Sequence, residues 1–266
     1  MIYIAFLIFT FLILIFVFYQ WQHFMIFTPT YIKERRLCEN CSMLSIQTDD
    51  NVALEGVIYE PKEPKSTLLV FVGRSHDAVA LAKKLSCLYP FSRIVTFNYR
   101  GYGKSSGSVN EKNILQDGLK IAQLVQKNYG DFYLLGFSLG SNVAAFVASK
   151  QSVKALFLIG AFDSVKKIIE QKYSKISSLA KLVRYKFKTL SYMQNVPANT
   201  YLFVSTDDEI IPLQNARNLK QHIKNLVYYI ELDRLSHKEL FYNPQVSNKI
   251  NEVISTPPKE TPTFRA

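Results

Sequence analysis

The chain has 266 residues, 48% of them hydrophobic and 14% aromatic, with a formal net charge of +11. That length allows one large domain or two small ones, with ample apolar content for a core. The charge would suit nucleic acid if it were clustered or carried by a binding motif. Lys and Arg are instead scattered, with one denser run from Lys166 to Lys188, so no nucleic-acid partner is expected; a lipid surface or plain solubility accounts for the charge.

In chain order, residues 1–21 come first. Met1 to Trp21 holds no charged residue, and the first charge is Lys33. About 20 apolar residues cross a bilayer as a helix, so a transmembrane anchor is expected here. Tyr19, Trp21 and Tyr31 would lie near the interface, where amphipathic rings are favoured. A cleaved secretory signal would show a basic start and a small-residue cleavage site, and neither is visible. Lys33, Arg35 and Arg36 follow the anchor while its other side offers only the α-amino group, which directs the rest of the chain to the cytoplasm. Residues 22–42 form a juxtamembrane linker with a C-x-x-C at Cys38 and Cys41. No further zinc ligands follow, and no strand-to-helix junction supports a thioredoxin-like role, so packing or occasional oxidation is expected of the pair.

"MLSIQTD" and "VALEGVIYEP" read as two strands split by a turn at Asp49–Asn51. "STLLVFVG" is a buried strand, followed by a helix from His76 to Leu88. "RIVTFNYRG" is a strand, and Asn110 to Tyr129 a long helix whose apolar face holds Ile114, Leu115, Leu119, Ile121, Leu124 and Val125. Then come the strand "FYLLGF", a helix from Leu139 to Lys150, and the strand "VKALFLIGAF". "TYLFVST" and "LVYYIEL" are strands on either side of a helix from Leu213 to Ile223. A last helix spans Lys238 to Ile254, broken near Pro244. This alternation predicts an α/β class: a mostly parallel central sheet with helices on both faces and an antiparallel start. The Pro- and Thr-rich tail, 256–266, is expected to be disordered.

Ser138 lies in Gly136-Phe137-Ser138-Leu139-Gly140, between a strand and a helix. G-x-S-x-G in that setting is a nucleophile elbow, with glycines where side chains would collide and the hydroxyl projecting above the sheet. The following helix N-terminus favours an oxyanion. A serine needs a base, and the base an orienting acid. Asp207, Asp208 and Glu209 follow "TYLFV", and His237 follows "LVYYIEL", which is the order serine, acid, histidine. Both loops fall on the sheet edge where ligands bind in open α/β sheets. Of the other histidines, His23 and His222 are badly placed for a base, and His76 reads as a helix-start residue.

On these residues the sequence resembles the α/β-hydrolase superfamily, and within it the Bem46-like membrane-anchored serine hydrolases related to protein depalmitoylases. "NYRGYGKSSGSVNEKNILQDG", "GFSLGSNVA", "DDEIIP", "LSHKELF" and "FMIFTPT" carry the likeness. The resemblance implies an α/β-hydrolase domain over 43–255 with a small helical cap at 164–199. It also implies Ser138 as nucleophile, Asp208 as the acid and His237 as the base. No cofactor or metal is implied. "GYGKSS" is not a phosphate-binding loop, because Asn98 stands where a Walker loop needs glycine. Two departures stand out. Val72, Gly73 and Arg74 replace the family's HGN or HGG, leaving the Arg74 and Leu139 N–H groups as the oxyanion pair and adding a charge beside the site. Ser236 replaces a glycine before the base.

The expected function is hydrolysis of an acyl ester or thioester. The alternatives are a peptidase of the prolyl-oligopeptidase type, disfavoured because no propeller-like domain precedes, and a non-catalytic membrane-tethered interaction protein, suggested only by the altered Gly73–Arg74 loop. In the cap, basic residues alternate with Ile168, Ile169, Tyr173, Ile176, Leu179, Leu182, Val183, Phe187 and Leu190. Such a segment can turn its apolar side to the cleft or the bilayer and its lysines to anionic lipid, or simply pack on the domain.

Overall fold

Eight segments form strands: β1 (Cys41–Gln47), β2 (Ala53–Tyr59), β3 (Ser66–Phe71), β4 (Ser92–Phe97), β5 (Tyr133–Phe137), β6 (Ala155–Ile159), β7 (Asn199–Ser205) and β8 (Leu226–Leu232). In this computed structural model, which describes residues 2–172, 180 and 182–255, they make one sheet in the order β1-β2-β4-β3-β5-β6-β7-β8. β2 pairs antiparallel with both β1 and β4, and all other neighbours are parallel. β5 and β6 are buried along their whole length. That is why their sequences are unbroken apolar runs rather than alternating ones. Tyr173, Ile176 and Leu179 of the cap and the tail 256–266 lie outside the described residues.

The helices are α1 (Ile2–Ile26), α2 (Ala78–Leu88), α3 (Glu111–Tyr129), α4 (Leu139–Ala148), α5 (Val165–Lys172), α6 (Thr189–Met193), α7 (Leu213–Lys220), α8 (His237–Tyr242) and α9 (Pro244–Ser255). Two of the boundaries that differ from the sequence reading are those of α2 and α1. α2 starts at Ala78 rather than His76, because the Asp77 carboxylate caps it by accepting from the Ala80 amide at 3.2 Å. The last helix is broken at Pro244 into α8 and α9, as expected, since Pro244 can open a helix but not continue one. α1 runs on past Trp21 to Ile26, and its stretch from Tyr3 to Ile26 is long and apolar enough to cross a membrane.

The segment after α1 is folded against the domain. Phe27 is fully buried, with its ring 4.9 Å from that of Tyr185 and 6.0 Å from that of Phe187. Arg35 reaches Glu55 at 2.6 Å and Asp77 at 2.8 Å, and none of the three side chains is more than 9% exposed. The Asn98 side-chain amide joins the same two carboxylates at 3.0 and 3.1 Å. Removing one charge from such a set leaves the others uncompensated. Residues 27–42 are therefore a strap held against the domain. Cys38 and Cys41 are joined as a disulfide at the start of β1, with Cα atoms 5.1 Å apart.

Candidate active site

The C-terminal ends of the parallel strands gather the site on one sheet edge, as open α/β sheets do. Ser138 follows β5 directly and has φ 53° and ψ −119°, a conformation rarely adopted by a non-glycine residue. Close packing holds it there. A Cβ on Gly136 would stand 2.5 Å from the Gly140 carbonyl oxygen, and one on Gly140 would stand 2.1 Å from the Phe71 carbonyl oxygen. The β5–α4 turn can approach the sheet so closely only because both flanking residues lack side chains. The Ser138 amide donates to the Ile159 carbonyl at 2.9 Å, and its own carbonyl accepts from the Ser141 hydroxyl at 2.6 Å.

His237 is the first residue of α8. Ser236, at the family's glycine position, caps that helix: its hydroxyl accepts from the Glu239 amide at 3.3 Å, and the Ser236 amide donates to the Glu239 carboxylate at 2.8 Å. This capping box fixes the backbone from which the imidazole projects. The ring Nδ1 lies 2.6 Å from Asp208 Oδ2. Asp208 Oδ1 accepts from the Ile210 and Ile211 amides at 2.8 and 2.7 Å, so the carboxylate is held by three partners and nearly buried. A carboxylate at Nδ1 favours the tautomer with its proton there, leaving the Nε2 lone pair available. Nε2 is buried and has no hydrogen-bond partner among the described residues. The imidazole stacks on Phe137, the residue before Ser138, at 4.9 Å, and it lies over Gly160, where a Cβ would come within 3.0 Å of Cε1.

The three neighbouring acids are thus sorted by geometry. Asp207 accepts from the Thr206 hydroxyl at 2.6 Å and from the Arg234 amide at 2.9 Å, which together hold its carboxyl below the usual carboxylate range. Glu209 accepts from the His237 backbone amide at 2.9 Å. That anchoring contact went unnoticed in the sequence, because nothing in "DDE" distinguishes a backbone acceptor from a solvated acid. His76 sits at the rim, edge-on to Phe137 at 5.6 Å, and burial above all lowers its pKa. Among the described residues no hydrogen bond joins its Nδ1 to Asp208.

Gly73 and Arg74 lie on the β3–α2 loop, and Leu139 opens α4. Among the described residues neither the Arg74 nor the Leu139 amide donates a hydrogen bond within the fold. The expected charge beside the site is corrected by the structure: the Arg74 guanidinium turns away and donates to the Met25 carbonyl at the end of α1. In the cap segment Phe187 is fully buried, and Ile168, Ile169, Val183 and Leu190 pack against the core. Leu182 faces outward, and Lys166 and Lys167 pair with Glu170.

This sheet order and this strand–serine–helix turn define the α/β-hydrolase fold, and the chain is a protein of that fold. A family model described as alpha/beta hydrolase fold matches residues 87–185. The esterase Pf2001 of Pyrococcus furiosus superposes with a TM-score of 0.65 at 16% identity, covering 85% of this chain and 96% of that one. An alpha-beta hydrolase from Vibrio vulnificus gives 0.66 at 20% identity, covering 82% and 81%. In sequence, the chain is 26% identical over 209 residues to protein R595 of Acanthamoeba polyphaga mimivirus, covering 70% of this chain and 71% of that one. It is 22% identical to the lysophosphatidylserine lipase ABHD12 of Danio rerio over 67% of its own length and 54% of the lipase's. A Saccharomyces cerevisiae membrane protein, YNL320W, is 27% identical, with 66% of each chain covered. The chain thus spans about half the length of the fish lipase and just under two thirds of the yeast protein.

Proposed function

We propose that this protein is a membrane-anchored serine hydrolase of the Bem46-like type, cleaving carboxylic esters or thioesters of acyl chains. The observation that carries the reading is the Asp208–His237 pair, 2.6 Å apart, on the same sheet edge as the strained Ser138 elbow. Ser138 Oγ attacks the acyl carbon as His237 Nε2 takes its proton. The tetrahedral oxygen is stabilised by the Arg74 and Leu139 amides, and collapse breaks the ester bond as the imidazolium returns the proton to the leaving group. Water then repeats the sequence on the acyl-serine. Asp208 keeps the imidazole in the required tautomer and offsets its positive charge. Labelling by a serine-directed fluorophosphonate tests the reading, with loss of label on Ser138→Ala as the expected result.

The acyl-chain assignment draws support from the named lipase relative, and a lipid-facing role from the surface beside α1. An open cleft of about 540 Å³ lies between α1, the start of α3 and the cap, lined among others by Tyr19, Lys112, Arg184 and Tyr185, and by Glu111, whose carboxylate accepts from the Lys186 and Phe187 amides. The Arg184 guanidinium sits 4.6 Å from the Tyr19 ring and 4.9 Å from the Tyr185 ring. A cation held between rings beside a bilayer-spanning helix suits anionic head groups. Each methylene buried in an acyl site contributes about 0.8 kcal/mol, or roughly fourfold in kcat/KM. We therefore expect kcat/KM to rise from acetyl to octanoyl esters, and to rise further with anionic vesicles. Strict preference for acetyl esters with no response to lipid would remove the lipid-facing role.

The domain is assigned to the cytoplasmic side, because Lys33, Arg35 and Arg36 follow α1 closely. The Cys38–Cys41 disulfide favours the opposite reading, since such bonds persist in oxidising compartments. Protease protection in sealed vesicles separates the two: digestion of the domain from the non-cytoplasmic face reverses the assignment.

A further inference from the structure

We infer that Tyr102, together with the chain leaving α1 at Thr28, positions the oxyanion loop, so that the exit from the apolar helix is a working part of the active site. The inference rests on the reading above, in which the Arg74 amide is an oxyanion donor. That amide belongs to the peptide joining Gly73 to Arg74. Gly73 is the one residue of the loop with no side chain to anchor it, and a Cβ there would meet His76 at 3.1 Å and Phe137 at 3.2 Å. The loop's geometry must therefore be imposed from outside.

Three carbonyls supply that restraint. The Tyr99 hydroxyl donates to the Val72 carbonyl at 2.7 Å, fixing the peptide plane before Gly73. The Gly73 carbonyl accepts from the His76 amide at 3.3 Å. Because C=O and N–H point in opposite directions across a trans peptide, this turns the Arg74 N–H away from His76. The Tyr102 hydroxyl donates to the Arg74 carbonyl at 2.6 Å, fixing the plane after it. Both tyrosines are buried, with rings 5.7 Å apart, and they come from the same "NYRGYG" stretch that supplies Asn98 to the Glu55–Asp77 pair.

The Tyr102 hydroxyl also accepts, from the Thr28 amide at 3.0 Å, and that amide lies 3.3 Å from the Arg74 carbonyl. Thr28 is two residues beyond the end of α1, next to fully buried Phe27. The Arg74 guanidinium closes a second link, to the Met25 carbonyl in the last turn of α1, where a cation is favoured by the helix dipole. The far end of the loop is tied to the same strap: the Ile32 amide donates to Asp77 Oδ2 at 3.1 Å, and Arg35 pairs with that carboxylate at 2.8 Å. A shift of α1 against the domain therefore reaches the Arg74 amide through two short connections. Tyr102 is a positioning residue by this account, since it acts on the reaction through Arg74.

The test uses the full chain in lipid vesicles, with active sites counted by fluorophosphonate titration. Tyr102→Phe should lower kcat on an octanoyl p-nitrophenyl ester by about 10- to 100-fold, the range for a displaced oxyanion donor, with KM within about twofold. Affinity for an alkyl boronic acid, which forms a tetrahedral adduct on the serine, should fall by the same factor, because it reports the same donor. Arg74→Met, which keeps the amide but cuts the link to Met25, should shift kcat and boronate affinity together in the same direction by a smaller factor. Unchanged kcat and boronate affinity in Tyr102→Phe, with Ser138→Ala inactive, would overturn the inference while leaving the hydrolase reading intact. A loss of total turnover accounted for by fewer titratable sites, with kcat per site and boronate affinity unchanged, would also overturn it, since that marks a purely structural role. Retained activity in Ser138→Ala sinks the nucleophile assignment itself, whatever Tyr102→Phe does.

Discussion

Ser138→Ala is expected to lower ester turnover by about 10⁴- to 10⁶-fold and to abolish fluorophosphonate labelling, with the circular dichroism spectrum unchanged. The size follows from the mechanism, since without Oγ no acyl-enzyme forms and only oxyanion stabilisation and substrate binding remain. The unchanged fold follows from the local structure. The contacts that Ser138 makes with the fold come from its amide and carbonyl, to Ile159 and Ser141, and alanine keeps both. The backbone conformation at φ 53° is no harder for alanine than for serine, because each carries a Cβ. An alanine variant that hydrolyses p-nitrophenyl esters at the original rate would exclude Ser138 as the nucleophile.

The second large effect separates adjacent residues. Asp208→Asn should reduce kcat by about 10⁴-fold, because an amide facing Nδ1 can stabilise the wrong imidazole tautomer and offers no charge to the imidazolium. Asp207→Asn should cost no more than about threefold, in the range of a surface change away from the reacting groups. Asp207 meets Thr206 and the Arg234 amide at the surface, whereas Asp208 is nearly buried against the imidazole and two backbone amides. Kinetics of the two variants on one ester suffice, and the reverse ranking would mean that the base is oriented by the other acid.

Much of the architecture was legible in the residues alone. Long apolar runs such as β5 and β6 can be satisfied only by burial on both faces, so the parallel centre of the sheet was readable from "FYLLGF" and "VKALFLIGAF". The two short strands with no helix between them announced the antiparallel start, and the paired glycines around Ser138 announced a turn too tight for side chains. The order serine, acid, histidine was visible as well, because each residue follows a strand and so falls on a known edge of the sheet.

The remainder depended on contacts between residues far apart in the chain, which local pattern does not encode. Spacing left Asp207, Asp208 and Glu209 open, and resemblance favoured Asp208. The folded chain sets Asp208 against the imidazole and Glu209 against the backbone of His237. Arg74 reads as a charge at the site until the last turn of α1 is seen beside it. Residues 22–42 read as a linker, yet Arg35 is held between Glu55 and Asp77, contacts that span 20 and 42 positions. The local sequence by itself determined which segments must be buried and where the chain must turn, because those follow from hydropathy and backbone freedom. Only the tertiary structure decided which polar groups meet, because a buried charge or carbonyl takes its partner from whichever element the fold packs against it.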